Sequence, residues 1–107
     1  MVYNRIMEVR TTDEFDTWFK KLRDLKAKGI IGSRIDRIVA LDNLGDHKSL
    51  SDGISELRIN SGPGYRIYFS KRGNTLILLL IGGDKSTQSR DIEKAKKLNE
   101  NYKVKER

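Results

Sequence analysis

The 107-residue chain contains no cysteine, one histidine and one proline. Without cysteine there is no disulfide, no thiolate nucleophile and no cysteine-bound metal. His47 alone cannot build a multi-histidine metal site, so we expect neither a metal nor a cofactor. The single proline and the absence of low-complexity tracts argue against a disordered chain.

Long apolar runs are also lacking. The longest one, LILLLI at residues 76–81, has six residues, whereas a membrane helix needs roughly 20. It therefore predicts a buried strand. The first ten residues contain no apolar stretch of the length that a signal peptide needs. We expect a cytoplasmic protein that makes no contact with a membrane.

Positive charge is in excess and is unevenly distributed. The chain has 22 lysines and arginines against 15 acidic residues, a net charge of +7. Residues 1–47 contribute only +1, and residues 48–107 contribute the remaining +6. Because phosphate contacts are the usual use of a basic surface, this pattern favours a nucleic-acid partner.

The first half of the chain predicts one strand and two helices. The strand covers residues 3–10, and Thr11 and Glu14 have the spacing of a capping box at a helix start. Gly29 is expected to end this helix, and a second helix runs from about residue 30 to 43. The short connection predicts an antiparallel helical hairpin. The first helix carries an amphipathic stripe of Phe15, Trp18, Phe19, Leu22 and Leu25.

In the second half the hydrophobic period changes to two. Strands are predicted at about residues 55–60, 65–70 and 75–81, with turns at SGPG and KRGN between them. A last helix follows at about residues 87–99, and residues 103–107 are expected to fray. The predicted fold is a single α+β domain spanning residues 1–107, with an N-terminal strand, a helical hairpin, a three-stranded antiparallel meander and a C-terminal helix.

Four cations are expected to converge on the sheet. Arg58 and Arg66 flank one turn, so they can lie side by side on the open face. Adjacent like charges repel, and a bound phosphate would explain why they are tolerated. The alternative is that each arginine pairs with a nearby acidic residue. Lys85 follows two glycines after the last strand, and Lys48 is expected in the loop that enters the sheet.

Such a cluster suits RNA cleavage by the 2′-hydroxyl. That reaction needs a base, a group that stabilises the charged phosphorane, and an acid for the 5′-oxygen. Arginine and lysine stabilise the phosphorane, and a lysine whose pKa neighbouring cations lower can act as the base. No metal is required. Tyr68 shares the face of Arg66 and could stack on a base, although a half-buried strand tyrosine is the alternative.

Three segments together resemble the toxins of the RelE/ParE superfamily, in particular the HigB-like branch, whose members are labelled addiction module killer proteins. They are ELRI at residues 56–59, GPGYRIYF at 62–69 and LLLIGGDKSTQ at 78–88. Residues 18–19, 45–46 and 48 also match that branch, so the resemblance covers nearly the whole chain.

The resemblance implies a toxin of a type II toxin–antitoxin system that cleaves mRNA in the ribosomal A site, next to 16S rRNA, and so inhibits translation. Its partner would be a helix-turn-helix antitoxin, and the toxin would contact operator DNA only through this antitoxin. By this resemblance Arg66 matches an arginine of the family that stabilises the phosphate. Lys85 matches a basic residue that follows the last strand, and Lys48 and Arg58 match two further basic positions.

Several roles stay open at this point. The general base is Lys48, Lys85 or His47, and His47 and Gln88 are candidates for contacts with RNA. Two other functions also remain: a gyrase-poisoning toxin of the ParE type, and a non-catalytic module that binds RNA or protein. The presence of Arg58, Arg66 and Lys85 together favours the nuclease.

Overall fold

The computed structural model describes residues 7–102. The elements are β1 (Glu8–Thr11), α1 (Asp13–Lys21), α2 (Leu25–Leu41), β2 (His47–Ser49), β3 (Ser55–Ile59), β4 (Tyr65–Arg72), β5 (Leu76–Asp84), a short 3₁₀ turn (Lys85–Thr87) and α3 (Gln88–Asn101). The strands form one sheet in the order β1-β5-β4-β3-β2, where β1 is parallel to β5 and the other pairs are antiparallel. This confirms the α+β class, the meander and the C-terminal helix.

Helices cover both faces of the sheet. On one face, Ile67 and Phe69 of β4 pack in a core with Phe15 of α1 and Ile31 of α2. On the other face, α3 packs Ala95 in a second core with residues of β4 and β5. The apolar run in β5 is buried along its length, as expected for a strand that is covered on both sides. No helix within residues 7–102 is long and apolar enough to cross a membrane.

Helix α1 begins one residue later than predicted, so the predicted capping box is wrong. Thr11 is the last residue of β1 and pairs with Leu79. Thr12 is the N-cap, and its hydroxyl accepts a hydrogen bond from the Phe15 N–H at 3.0 Å. Phe15 therefore occupies the position at which a capping box needs Glu or Gln. The predicted strand at residues 3–6 lies outside the described residues.

The break between the helices falls at residues 22–24, not at Gly29 as predicted. Asp24 caps α2 and accepts a hydrogen bond from the Ala27 N–H at 3.0 Å. The helix continues through Gly29 because Ala27, Ile31 and Ile38 are fully buried on its inner face, and this burial outweighs the roughly 1 kcal/mol cost of a helical glycine. Leu25 is the first residue of α2, so it does not belong to the amphipathic stripe that was predicted for the first helix. It is 79% exposed.

The predicted loop before the meander contains a short edge strand. His47–Ser49 forms β2 and pairs with β3, so Lys48 lies in a strand and not in a loop. Its three residues are all exposed and polar. A segment of this kind carries no hydrophobic alternation, so only its backbone pairing identifies it as a strand.

A β-bulge interrupts the pairing of β4 with β5. Tyr68 is opposite Ile81 and Phe69 is opposite Leu79, so Leu80 has no partner on β4. The Leu80 carbonyl accepts a hydrogen bond from the Thr12 hydroxyl at 2.6 Å. The bulge sets which face each following residue occupies. A Cβ at Gly82 would point at the Trp18 ring, and a Cβ at Gly83 would point at Asp91 of α3.

Replacing Gly82 by alanine is expected to destabilise the protein by about 1–3 kcal/mol, because the added methyl group would overlap the Trp18 ring. Gly29→Ala is the matched control. Its methyl group meets no atom within 4 Å, so it should raise the free energy of unfolding by up to about 1 kcal/mol. Urea denaturation measures both. A Gly82→Ala variant as stable as the wild type would contradict the packing of Trp18 on β5.

Candidate functional site

Arg58 and Arg66 are direct cross-strand partners of β3 and β4. This confirms that the two arginines lie side by side. The Arg58 side chain is 35% exposed and the Arg66 side chain 12%. Like charges directly opposite one another destabilise a sheet, so this pair needs compensation.

Glu56 supplies that compensation. Its Oε2 lies 2.9 Å from Arg58 Nε, a hydrogen-bonded ion pair, and 3.7 Å from Arg66 Nε. The carboxylate side chain is only 6% exposed. Arg66 is also fixed by a 3.1 Å hydrogen bond from its Nη1 to the Tyr65 carbonyl. One buried acid therefore pairs with both arginines.

Lys85 reaches this pair from the end of β5. Asp84 accepts hydrogen bonds from the Ser86 hydroxyl and from the Ser86 N–H at 2.8 Å, which lowers the pKa of Asp84 and fixes the turn at Lys85. The Lys85 stem lies over Gly64: a Cβ there would come within 2.6 Å of Lys85 Cδ and 3.8 Å of Arg66 Nη1. Gly64 is thus required for Lys85 to lie beside Arg66.

Lys48 lies on the same face at the edge of the sheet, opposite Glu56 in the register of β2 and β3. Arg34 of α2 anchors the approach to β2. Its guanidinium donates to the carbonyls of Leu44 and Asp46, each at 2.8 Å, and to the Arg58 carbonyl at 2.7 Å. Arg34 therefore connects the strands that carry Lys48 and Arg58.

The prediction that Tyr68 could stack on a base is wrong, because its ring is fully buried beneath α3. Its hydroxyl has no hydrogen-bond partner among the described residues. Burial, with Glu56 and Asp91 nearby, raises the pKa of Tyr68 to about 12, although the charge of Arg66 opposes the rise. Gln88 lies at the first position of α3, on the basic side of the sheet.

The structure does not bring His47 to the other candidates. It pairs with Leu57, whereas Lys48 pairs with Glu56, and successive strand residues point to opposite faces. His47 is exposed, and its Nδ1 lies 2.8 Å from the Gly45 carbonyl.

A cavity of about 770 Å³ opens at the end of β5, between α1 and the start of α3. Trp18, Tyr65 and Gly83 form part of its wall. Its charged lining is mainly acidic: Asp13, Glu14, Asp84 and Asp91 against Arg90 and Lys94. Carboxylates repel phosphate, so the arginine pair is a better candidate for a phosphate site than this cavity.

A protein of Haemophilus influenzae whose function is uncharacterised is 50% identical to this chain over 92 residues, which is 86% of this chain and 92% of that protein. The chain belongs to the same family. No model of a known protein family matches it.

A solved structure supports the fold assignment. It is that of the Escherichia coli toxin RelE in the free state, with two arginines replaced by alanine. It matches this chain with a TM-score of 0.69 at 12% identity, covering 86% of this chain and 96% of RelE. The family represented by this chain and its Haemophilus relative therefore has the RelE-like fold.

Within this RelE-like fold, both arginines pair with a nearby acidic residue, which is the alternative that the sequence left open. Sequence reasoning identified neither Glu56 as that residue nor the role of Arg34. A signal for Glu56 was present: Glu56 and Arg58 are two residues apart on one strand, so they share a face. For Arg34 no local signal exists, because its partners lie 10, 12 and 24 residues away.

Arg34→Met is expected to lower the free energy of unfolding by about 1–3 kcal/mol, because three carbonyl groups lose a charged donor. Arg37→Met, an exposed position on the same helix, should change it by less than about 0.5 kcal/mol. Urea denaturation compares the two. Equal effects would contradict the anchoring role of Arg34.

Tyr68→Phe is expected to leave stability at pH 7 nearly unchanged, since it removes a hydroxyl without a partner. Because the pKa of Tyr68 is raised from 10.0 to about 12, the unfolded state loses this proton first. The contribution of Tyr68 to the free energy of unfolding is therefore fully present below pH 10 and is lost as the pH rises to about 12.

The variant should show a smaller loss of stability over pH 10–12 than the wild type. Urea denaturation across this range, together with absorbance at 295 nm, measures the difference. An identical decline in the two proteins, with all tyrosines ionising near pH 10, would show that Tyr68 is not buried as described.

Proposed function

We propose that this protein is the toxin of a type II toxin–antitoxin system, of the HigB-like branch of the RelE/ParE superfamily, and that it cleaves mRNA on the ribosome without a metal. The observation that carries this proposal is the Arg58–Arg66 pair, held by Glu56 and flanked by Lys85, on a sheet face of a RelE-like fold. Two adjacent guanidiniums suit a phosphate that gains charge in the transition state.

In the proposed reaction the 2′-oxygen attacks the adjacent phosphorus as the bond to the 5′-oxygen breaks. The products are a 2′,3′-cyclic phosphate and a 5′-hydroxyl end. Arg58 and Arg66 stabilise the phosphorane. One group must accept the 2′-proton and another must protonate the 5′-oxygen, from opposite sides of the phosphorus.

Lys48 and Lys85 suit these two proton transfers. Lys48 lies on β2 and Lys85 follows β5, three strand spacings away, or roughly 14 Å between the strands. Their long side chains can approach a phosphate on the arginine pair from its two sides. His47 faces away from the pair, so it is no longer a candidate for the base.

The proposed partners follow from this function. They are the ribosome with mRNA in its A site, near 16S rRNA, and a helix-turn-helix antitoxin that neutralises the toxin. Operator DNA would be bound only through the antitoxin, and the ribosomal target would place the protein in the cytoplasm. A gene for a small helix-turn-helix protein next to the toxin gene would support the antitoxin.

Arg66→Ala and Lys85→Ala are each expected to abolish growth inhibition and to remove codon-associated mRNA cuts. Primer extension on mRNA from expressing cells detects these cuts. Arg23→Ala and Lys26→Ala are matched controls at exposed positions near the start of α2, and both should cleave as the wild type does. Circular dichroism checks that every variant is folded.

Other outcomes would contradict the proposal. Full toxicity of either site variant would refute the site. Intact mRNA with gyrase-dependent DNA breaks would indicate a ParE-type toxin instead. Intact RNA and DNA, with RNA or protein still bound, would indicate a non-catalytic binding module.

A further inference from the structure

We infer that Glu56 is a positioning residue of the phosphate site: it holds the guanidiniums of Arg58 and Arg66 in the orientation that meets the phosphorane, and it offsets their charge before RNA binds. This inference rests on the proposed function and deepens it. The role follows from burial, from the arrangement of the ion pairs and from the neighbours of Glu56 on the sheet.

Burial separates Glu56 from an ordinary surface acid. A second Glu-x-Arg pair provides the comparison, because Glu8 and Arg10 of β1 have the same spacing and an ion pair of 2.6 Å. The Glu8 side chain is 52% exposed, whereas that of Glu56 is 6% exposed. A buried carboxylate is costly unless it is paired, so Glu56 is held in place by the arginines as much as it holds them.

The ion pairs fix how the guanidiniums point. The hydrogen bond from Arg58 to Glu56 uses Nε, which leaves N–H donors of the two terminal nitrogens for phosphate oxygens. Arg66 donates from Nη1 to the Tyr65 carbonyl, and its Nε lies 3.7 Å from Glu56 Oε2, an ion pair without a hydrogen bond. Guanidiniums fixed in this way lose little freedom when they bind two phosphate oxygens, which is the benefit of preorganisation.

Glu56 also lies at the centre of the basic face. In the sheet it pairs with Lys48 on one side and Tyr68 on the other, and it lies diagonal to Arg66. Its negative charge weakens the attraction of this face for any phosphate. Its position beside both arginines orients their guanidiniums towards the phosphorane, which favours the transition state. Interactions of this kind raise kcat more than they tighten substrate binding.

The test compares Glu56→Gln, Glu56→Asp and the control Glu8→Gln. Cleavage is followed on ribosomes programmed with mRNA, which gives kcat and KM. Affinity is measured against salt on ribosomes whose A-site codon is 2′-deoxy, so that no cleavage occurs. The Nε–Hε signals of Arg58 and Arg66 are followed by NMR on the protein alone.

Glu56→Gln is expected to reduce kcat by on the order of 10- to 100-fold without raising KM. One more uncompensated charge should steepen the slope of log affinity against log salt by about 0.7. The Arg58 and Arg66 signals should move towards those of exposed arginines. Glu56→Asp, which keeps the charge, should restore the wild-type salt slope and part of kcat, and Glu8→Gln should match the wild type.

Unchanged kcat and arginine signals in Glu56→Gln would overturn the inference. So would weaker RNA binding, or a loss of activity that merely follows a loss of folded protein. If the wild-type protein cleaves no mRNA, the proposed nuclease function fails, and the salt slope and arginine signals still test Glu56.

Discussion

Two arginines face each other across β3 and β4, and the arrangement depends on the one carboxylate that pairs with both. Glu56, Arg58 and Arg66 share a sheet face, and the residues that alternate with them along the strands, such as Leu57 and Ile67, fill the core on the opposite face. A slip of one residue would bury guanidiniums among apolar side chains. The charged face and the hydrophobic core therefore specify the same register.

Side-chain anchors from the helical layers keep this sheet in place. Asp24 caps α2 with one oxygen and accepts the Tyr65 hydroxyl with the other at 3.1 Å, which joins the start of the helix to the start of β4. At the far end of β4, Arg72 donates to the carbonyls of Asn99 and Tyr102 and so holds the end of α3. The strand that carries Arg66 is fixed at both ends by contacts distant in sequence.

Much of this architecture could be predicted from local pattern. Period-two alternation located β3 and β4 and placed Arg58 and Arg66 side by side, and a continuous apolar run located β5, because these features depend on neighbouring residues alone. Other features depend on distant contacts. The continuation of α2 through Gly29 depends on the buried Ile31 and Ile38, and Tyr68 is buried only because α3 returns over the sheet.

The two consecutive glycines after the bulge let both helical layers approach the end of β5 closely. Gly82 lies under the Trp18 ring and Gly83 under Asp91 of α3. Because successive strand residues point to opposite faces, each layer meets a residue without a side chain. A slip of one residue would bring either Ile81 under Trp18 or Asp84 against Asp91, so the glycine pair restricts the register of β5 from both faces of the sheet.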